Sequence, residues 1–192
     1  MPIIGEYAGY QNDPIRTQKR ILRDVFHAGD RYFNTGDLLR LDRNYHMYFV
    51  DRLGDTFRWK GENVATTEVM ERIAVFPGIS EVLVYGVKVE GHDGRAGMAA
   101  IVLKPDSELD CKGFYKYLTT YLPKYACPLF LRIEPSLAIT GSYKYKKSDL
   151  AKEGFNPTTI KSPLYYMDIS QGEYLPLVFE TYSKIMIGNA KL

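Results

Sequence analysis

The spacing of apolar and polar residues predicts a series of short helices and strands. Helical spacing of apolar positions predicts helices over Thr67–Val75 and Leu109–Leu122. Runs rich in Val, Ile, Leu and aromatic residues predict strands at Thr56–Trp59, Glu81–Lys88, Ala99–Leu103 and Phe130–Ile133. Ser148 can cap a short helix that ends near Glu153. This mixture of elements predicts a small α+β domain of mixed sheet and helices over residues 54–192, including an extended tail.

Fewer helices and strands are predicted in residues 1–53 than in the rest of the chain. Asp13-Pro14 has the residue types of a helix start, and the predicted helix runs to about Ala28. Short strands at Tyr32–Asn34 and Tyr48–Val50 flank a turn at Asp42–Asn44. One helix and one hairpin bury too little apolar surface to form a core of their own. We therefore expect residues 1–53 to be the last hairpin and helix of a larger N-terminal domain.

Composition and charge exclude several classes of protein. Hydrophobic residues make up 45% of the 192 residues and charged residues 25%, which is typical of a globular protein rather than a disordered one. The net charge of +2 provides no broad field that would attract nucleic acid. Two cysteines do not form a disulfide framework, and the three histidines are too far apart in sequence to indicate a metal site. No metal ligand is predicted in this chain.

Neither a signal peptide nor a transmembrane segment is predicted from the sequence. The first residues lack both a basic head and an apolar stretch. The longest apolar runs, near Val82–Val89 and Met98–Leu103, are far shorter than the roughly 20 residues that span a bilayer. The last three residues, Ala190-Lys191-Leu192, are similar to the Ser-Lys-Leu peroxisomal signal, although a chance match is the alternative.

The first candidate for chemistry is the segment Tyr32–Asp37, which reads Tyr-Phe-Asn-Thr-Gly-Asp. A strand followed by Thr35, a glycine and Asp37 places a carboxylate beside a strand end. Such a carboxylate can accept hydrogen bonds from both hydroxyls of a ribose. Alone the pattern is weak, because an aspartate that closes a turn has the same appearance.

The second candidate is the longer segment Val50–Glu68. Arg52 follows a strand, and its planar guanidinium can bind sugar hydroxyls or phosphate oxygens. Gly54 supplies a freely rotating backbone joint, and Gly61 permits close approach of a ligand to the chain. A solvated hairpin face is the alternative for the charged residues taken singly.

The third candidate is Lys144, which follows Thr140, Gly141 and Ser142 in a polar loop. Its ammonium is a mobile point charge suited to a phosphate or carboxylate. Lys146 and Lys147 extend the basic cluster, and a solvated basic loop is the alternative interpretation. We expect Lys146 and Lys147, unlike Lys144, to be solvated charges.

Taken in order, the three segments resemble the last three signatures of the adenylate-forming superfamily, which includes acyl-CoA synthetases, adenylation domains and luciferases. The matching elements are Thr35-Gly36-Asp37, Asp51-Arg52 with Gly61 downstream, and the loop lysine Lys144. The stretch Arg52–Val69 narrows the resemblance to the fatty acid transport proteins, the very-long-chain acyl-CoA synthetases. Further matching segments are Met98–Ala100, Tyr121–Pro128 and Lys152–Pro157.

This resemblance implies a reaction and a role for each matching residue. In the family, ATP and a fatty acid give an acyl-adenylate and pyrophosphate, and CoA then displaces AMP. By resemblance, Asp37 and Thr35 bind the nucleotide, with Asp37 at the ribose and Arg52 beside it. Lys144 bridges the acyl carboxylate and the α-phosphate. Gly54 is the hinge about which the small domain rotates, and Gly61 lies in the loop on the CoA side.

The resemblance also implies partners and a location. Residues 1–53 would be the end of the large AMP-binding domain, and ATP, CoA, Mg²⁺ and a fatty acid would be the ligands of the full-length protein. The magnesium ligands, the phosphate loop and the acyl tunnel of the family are not among these 192 residues. We therefore expect the chain alone to be inactive. The family is membrane-associated, at the endoplasmic reticulum, peroxisome or plasma membrane, and this chain would face the cytosol or the peroxisomal matrix.

Two alternatives remain at this point. The chain could be a non-catalytic interaction or regulatory module derived from the same family, which turnover would distinguish from a catalytic part. A nucleotide-binding protein unrelated to acyl transfer is the third interpretation, and the long match over Arg52–Val69 disfavours it.

Overall fold

The computed structural model describes residues 9–52, 56–137 and 147–188. The chain divides into two compact units, residues 1–54 and residues 55–192. The assignment of residues 1–53 to the end of a large AMP-binding domain stays a prediction. Four predicted features lie outside the described residues, namely Gly54, Lys144, Lys146 and the terminal Ala190-Lys191-Leu192.

The first unit consists of one short helix and two antiparallel strand pairs. Its described elements are α1 (Pro14–Lys19), β1 (Ile21–Arg23), β2 (Arg31–Phe33), β3 (Asp37–Leu41) and β4 (Met47–Arg52). β1 pairs with β2, and β3 pairs with β4. Several large apolar side chains of the second pair are exposed, including those of Leu41, Met47 and Phe49.

The predicted helix to Ala28 is wrong, because α1 ends at Lys19 and a strand follows it. The turn between β1 and β2 is built by two aspartates. The Asp30 carboxylate accepts hydrogen bonds from the backbone N–H groups of Val25, Phe26 and His27. A carboxylate that binds successive backbone donors stabilises a turn in competition with a helix.

The second unit contains a hairpin and a five-stranded mixed sheet. Its described elements are β5 (Phe57–Trp59), β6 (Glu62–Val64), α2 (Thr66–Ala74), β7 (Ile79–Val87), β8 (Ala96–Leu103), α3 (Cys111–Tyr121), β9 (Phe130–Ile133), α4 (Lys147–Glu153), β10 (Leu164–Asp168), β11 (Glu173–Pro176) and α5 (Phe179–Met186). The sheet order is β11-β10-β9-β8-β7, with only β8 and β9 parallel among the described strands. β5 and β6 form a separate antiparallel pair. The predicted α+β class is confirmed.

The core of the second unit lies between this sheet and its helices. Val69 and Ile73 of α2 and Phe114 and Leu118 of α3 are fully buried. The N-cap of α2 is Ala65, which makes no side-chain hydrogen bond to the helix. For α3, by contrast, the Asp110 carboxylate accepts the N–H of Gly113.

An ion-pair cluster ties α4 to the sheet. Arg132, on β9, forms ion pairs with Glu134 and with Glu153 on α4. Ser162 donates a hydrogen bond to Glu134 at 3.0 Å. The buried hydroxyl of Tyr85 on β7 has no hydrogen-bond partner in the described part of the chain. Burial raises the pKa of Tyr85 well above its ordinary value, so the hydroxyl stays neutral.

Candidate functional site

Asp37 and Arg52 lie opposite each other at the open end of the β3–β4 hairpin. They are paired residues of the strand register, and Arg52 Nε lies 3.5 Å from Asp37 Oδ1. Both side chains therefore project from the same side of the hairpin, as the sequence predicts for a shared site. Asp37 and Arg52 are the last paired residues of the β3–β4 ladder, so each side chain has the other as its neighbour.

The approach to Asp37 is a tight polar turn. The N–H of Gly36 donates to Asn34 Oδ1 at 2.9 Å, and the N–H of Asp37 donates to Thr35 Oγ1 at 3.2 Å. Gly36 has φ +77°, and a Cβ atom there would lie 2.6 Å from Arg20 Nη1. The positive φ angle favours glycine here, whereas the flexible Arg20 side chain could move aside. Thr35 takes part by fixing the backbone at Asp37, a contact that spacing alone did not indicate.

Asp51 contributes a second, buried carboxylate next to Arg52. Its exposure is 2%, and its Oδ1 accepts the backbone N–H of Arg52 at 2.8 Å. A buried carboxylate that binds a neighbouring backbone N–H holds the strand end in one conformation. The sequence pattern includes Asp51 without giving it a role, and the structure assigns it to orienting the chain at Arg52.

The Asp37–Arg52 pair is itself exposed to solvent. The Arg52 side chain is 59% exposed and the Asp37 side chain 29% exposed. Ion pairs of this kind contribute about 0–1 kcal/mol to stability, so little holds the two groups together. A carboxylate and a guanidinium side by side and accessible can exchange this weak bond for hydrogen bonds to a diol and to an anion.

At the tip of the β5–β6 hairpin, Lys60 and Gly61 form a two-residue turn. Trp59 pairs with Glu62 across it, and the φ angles of +51° and +86° at the two turn residues are those of a type I′ turn. The space beside Gly61 is open, since a Cβ atom there would meet no atom within 4 Å. Its role on the CoA side stays a prediction.

Lys147 is the first residue of α4 and the described residue nearest in sequence to Lys144. Its Nζ donates to Thr66 Oγ1 at 2.8 Å, and Thr66 at the start of α2 is fully buried. The expectation that Lys147 is a solvated charge is therefore wrong. The contact joins residues 81 apart, so the sequence pattern could not reveal it.

We expect Lys147→Met to lower the free energy of unfolding by about 1 kcal/mol, because a hydrogen bond from a charged group to a buried hydroxyl is lost. Urea unfolding of the chain measures the change. Lys152→Met on the exposed last turn of the same helix is the matched control, and its effect should stay within about 0.5 kcal/mol. Equal losses for the two variants would contradict the anchoring role of Lys147.

An open depression of about 490 Å³ is lined by Phe76, Gly78, Ser107 and Asp110, among other described residues. Among all the described residues, no group of three or more His, Cys, Asp and Glu side chains could hold a metal ion. A cavity of about 80 Å³ beside the Lys60-Gly61 turn is lined by Trp59, Lys60, Tyr115, Tyr125 and Met167, among others. It is far smaller than the roughly 300–1,000 Å³ of ordinary ligand sites. Within the described parts of the chain, no helix has both the length and the hydrophobicity to cross a membrane.

Comparisons with known proteins agree with this fold. The family model "AMP-binding enzyme C-terminal domain" matches residues 68–144. The structure of ATP-bound MatB from Rhodopseudomonas palustris superposes with a TM-score of 0.65 at 24% identity, over 76% of this chain and 28% of that one. A Mycobacterium tuberculosis fatty acyl CoA synthetase gives a TM-score of 0.53 at 28% identity, over 76% of this chain and 27% of that chain. The fold is that of the C-terminal domains of adenylate-forming enzymes.

The particular family follows from a closer relative. The chain is 50% identical to long-chain fatty acid transport protein 6 of Mus musculus over 186 residues, which is 97% of this chain and 30% of the relative. The chain belongs to the fatty acid transport protein family, and the family predicted from the sequence is confirmed. It spans about a third of the length of the curated relatives that it matches.

Proposed function

We propose that this chain is the C-terminal part of an ATP-dependent long-chain fatty acid–CoA ligase whose activity drives fatty acid uptake. In the first step a fatty acid carboxylate oxygen attacks the α-phosphorus of ATP, and pyrophosphate leaves. In the second step the thiol of CoA attacks the acyl carbonyl, loses its proton, and AMP leaves. The observation that carries the proposal is the pairing of Asp37 with Arg52 in a family member.

The Asp37–Arg52 pair is the proposed nucleotide contact. Its carboxylate accepts hydrogen bonds from the two ribose hydroxyls, and the guanidinium of Arg52 supplies the facing positive charge. Thr35 and Asp51 hold the backbone at the two ends of this pair. Mg²⁺ accompanies ATP and neutralises its phosphate charge, and no residue of this chain is proposed as its ligand.

Three further roles complete the proposal. Lys144 neutralises charge between the acyl carboxylate and the α-phosphate during adenylation. Gly54, at the division between the two compact units, is the hinge between the two half-reactions. The Lys60-Gly61 turn faces CoA in the second half-reaction, where an accessible backbone permits close approach.

We place the full-length enzyme at a membrane of the endoplasmic reticulum, peroxisome or plasma membrane, with this chain on the cytosolic or matrix side. Ala190-Lys191-Leu192 is the proposed peroxisomal signal. Fusion of residues 183–192 to a fluorescent protein, with and without the last three residues, separates the signal from a chance terminus.

The nucleotide site is tested by Arg52→Met and Asp37→Asn in the full-length ligase. Each variant should raise the KM for ATP about 10- to 100-fold, because each removes a charged hydrogen-bonding group from the nucleotide. The KM for the fatty acid should change less than about twofold, since neither group contacts the acyl chain.

Arg43→Met is the matched control, because Arg43 is exposed in the turn at the other end of the same hairpin. Steady-state kinetics with ATP varied at saturating fatty acid and CoA give the comparison. If Arg43→Met raised the KM for ATP as much as Arg52→Met does, the ribose site would be wrongly placed.

A further inference from the structure

The loop between β7 and β8 is bonded directly to the β5–β6 hairpin. The N–H of Arg95 donates to the carbonyl oxygen of Arg58 at 2.6 Å, and Trp59 and Gly94 form an isolated antiparallel bridge. A Cβ atom on Gly94 would lie 2.1 Å from that same carbonyl oxygen. The φ angle of Gly94 is +86°, so this close backbone approach needs glycine on both counts.

A ring stack strengthens the same junction. His92 packs on Trp59 with ring centroids 5.3 Å apart and an interplanar angle of 26°. Trp59 is 2% exposed. His92 Nδ1 lies 3.2 Å from the carbonyl oxygen of Glu90, a contact that orients the imidazole ring over the indole. The loop therefore contacts Trp59, the last residue before the Lys60-Gly61 turn, through both backbone and side-chain interactions.

The other end of β5 is seated on a pair of glycines. Gly86 of β7 and Gly97 of β8 are direct partners in the strand register. A Cβ on Gly86 would lie 2.6 Å from Phe57 Cβ, and a Cβ on Gly97 would lie 2.8 Å from Phe57 Cζ. Phe57 thus occupies the space that two missing side chains leave. The strand that leads into the turn is fixed at its first and its last residue.

We propose that His92 and Gly94 are positioning residues for the thioester-forming half-reaction. They set the position of the Lys60-Gly61 turn, where a Cβ atom on Gly61 would meet no atom within 4 Å. The turn follows directly on β5, so its geometry depends on the contacts at Trp59 and Arg58. This inference rests on the proposed role of Gly61 on the CoA side.

The first test separates the two half-reactions of the full-length ligase. His92→Ala should slow the conversion of preformed acyl-adenylate and CoA to acyl-CoA about three- to tenfold, as loss of one aromatic stack implies. Fatty acid-dependent ATP–pyrophosphate exchange should change less than about twofold, because the nucleotide contact is unaffected. His92→Phe keeps a flat ring and should return the thioester rate to within about twofold of the wild-type rate.

Asp93→Asn in the same loop is the matched control, because Asp93 is exposed and stacks on no ring in the described structure. It should leave both rates within about twofold of wild type. Equal slowing of both half-reactions by His92→Ala, or no rescue by phenylalanine, would overturn the positioning role.

The second test uses the 192-residue chain and does not depend on catalysis. Trp59 is the single tryptophan, so intrinsic fluorescence reports on this junction directly. His92→Ala should shift the emission to longer wavelength and speed amide hydrogen exchange over Arg58–Val64, and His92→Phe should reverse both changes. If neither change occurred, the His92–Trp59 stack would not be what fixes the β5–β6 hairpin.

The two tests also separate this inference from the proposed function. If the fluorescence and exchange change as expected but the thioester rate does not, the positioning role is wrong while the ligase assignment stands. If the wild-type full-length protein shows neither half-reaction, the proposed function fails instead.

Discussion

Lys144→Ala in the full-length ligase is expected to slow adenylate formation by about 10²–10³-fold, the usual effect of removing a preorganised charge contact in a transition state. In the proposed mechanism the lysine neutralises charge where a carboxylate approaches an α-phosphate, because these two anions repel each other without it. The conversion of preformed acyl-adenylate and CoA to acyl-CoA should remain largely intact. This asymmetry follows from the proposal that Lys144 belongs to a small domain that rotates between the two steps.

ATP–pyrophosphate exchange and single-turnover thioester formation measure the two steps separately. Lys144→Arg should not restore the first step fully, because a planar guanidinium does not replace a compact ammonium. Lys147 cannot be the control, since it binds Thr66. Lys152→Ala, exposed on α4, is the matched control and should change neither step by more than about twofold. Equal loss of both steps in Lys144→Ala would mean that the lysine or the mechanism is wrongly assigned.

Arg132→Met is expected to destabilise the second unit by about 3–5 kcal/mol. The substitution leaves Glu134 without its cation, and both side chains are nearly buried, at 11% exposure for Arg132 and 12% for Glu134. An unpaired buried carboxylate carries most of the expected loss. Urea unfolding followed by circular dichroism measures the change, with the midpoint shifted and the slope unchanged.

Two variants of the same cluster test this explanation. Glu153→Gln should cost less than about 1 kcal/mol, because Glu153 is half exposed. Tyr85→Phe removes a buried hydroxyl without a partner among the described residues, so the unfolding free energy should stay the same or rise by about 1 kcal/mol. If Glu153→Gln were as damaging as Arg132→Met, desolvated charge at Glu134 would not be the cause.

The sequence predicts best those elements whose ends carry their own signals. The strand Phe130–Ile133 was predicted to the residue, since Pro128 precedes it and Pro135 follows soon after. β10 and β11 were missed because a tyrosine-rich stretch lacks the regular alternation that marks a strand. α5 was missed because its N-cap, Val178, makes no side-chain hydrogen bond and resembles no helix start. The helix predicted to Ala28 shows that turn carboxylates override weak helical spacing.

The candidate site was predictable only where its residues share one local element. Asp37 and Arg52 terminate a single hairpin, so their juxtaposition follows from the turn between them. Thr66 and Lys147 meet across the fold, and the stack of His92 on Trp59 joins two separate loops. Polar and aromatic contacts between distant segments leave no periodic pattern, because their partners are chosen by packing rather than by spacing.

The central claim is that this chain forms part of a fatty acid-activating ligase, and fatty acid-dependent ATP–pyrophosphate exchange tests it most directly. The full-length protein should catalyse exchange with a long-chain fatty acid and ATP, and form acyl-CoA and AMP once CoA is added. The 192-residue chain alone should not exceed the enzyme-free control. A full-length protein that folds and binds ATP yet shows no exchange would contradict the account and favour a non-catalytic module. Exchange by the 192-residue chain alone would contradict the proposal that the active site also needs the rest of the full-length protein.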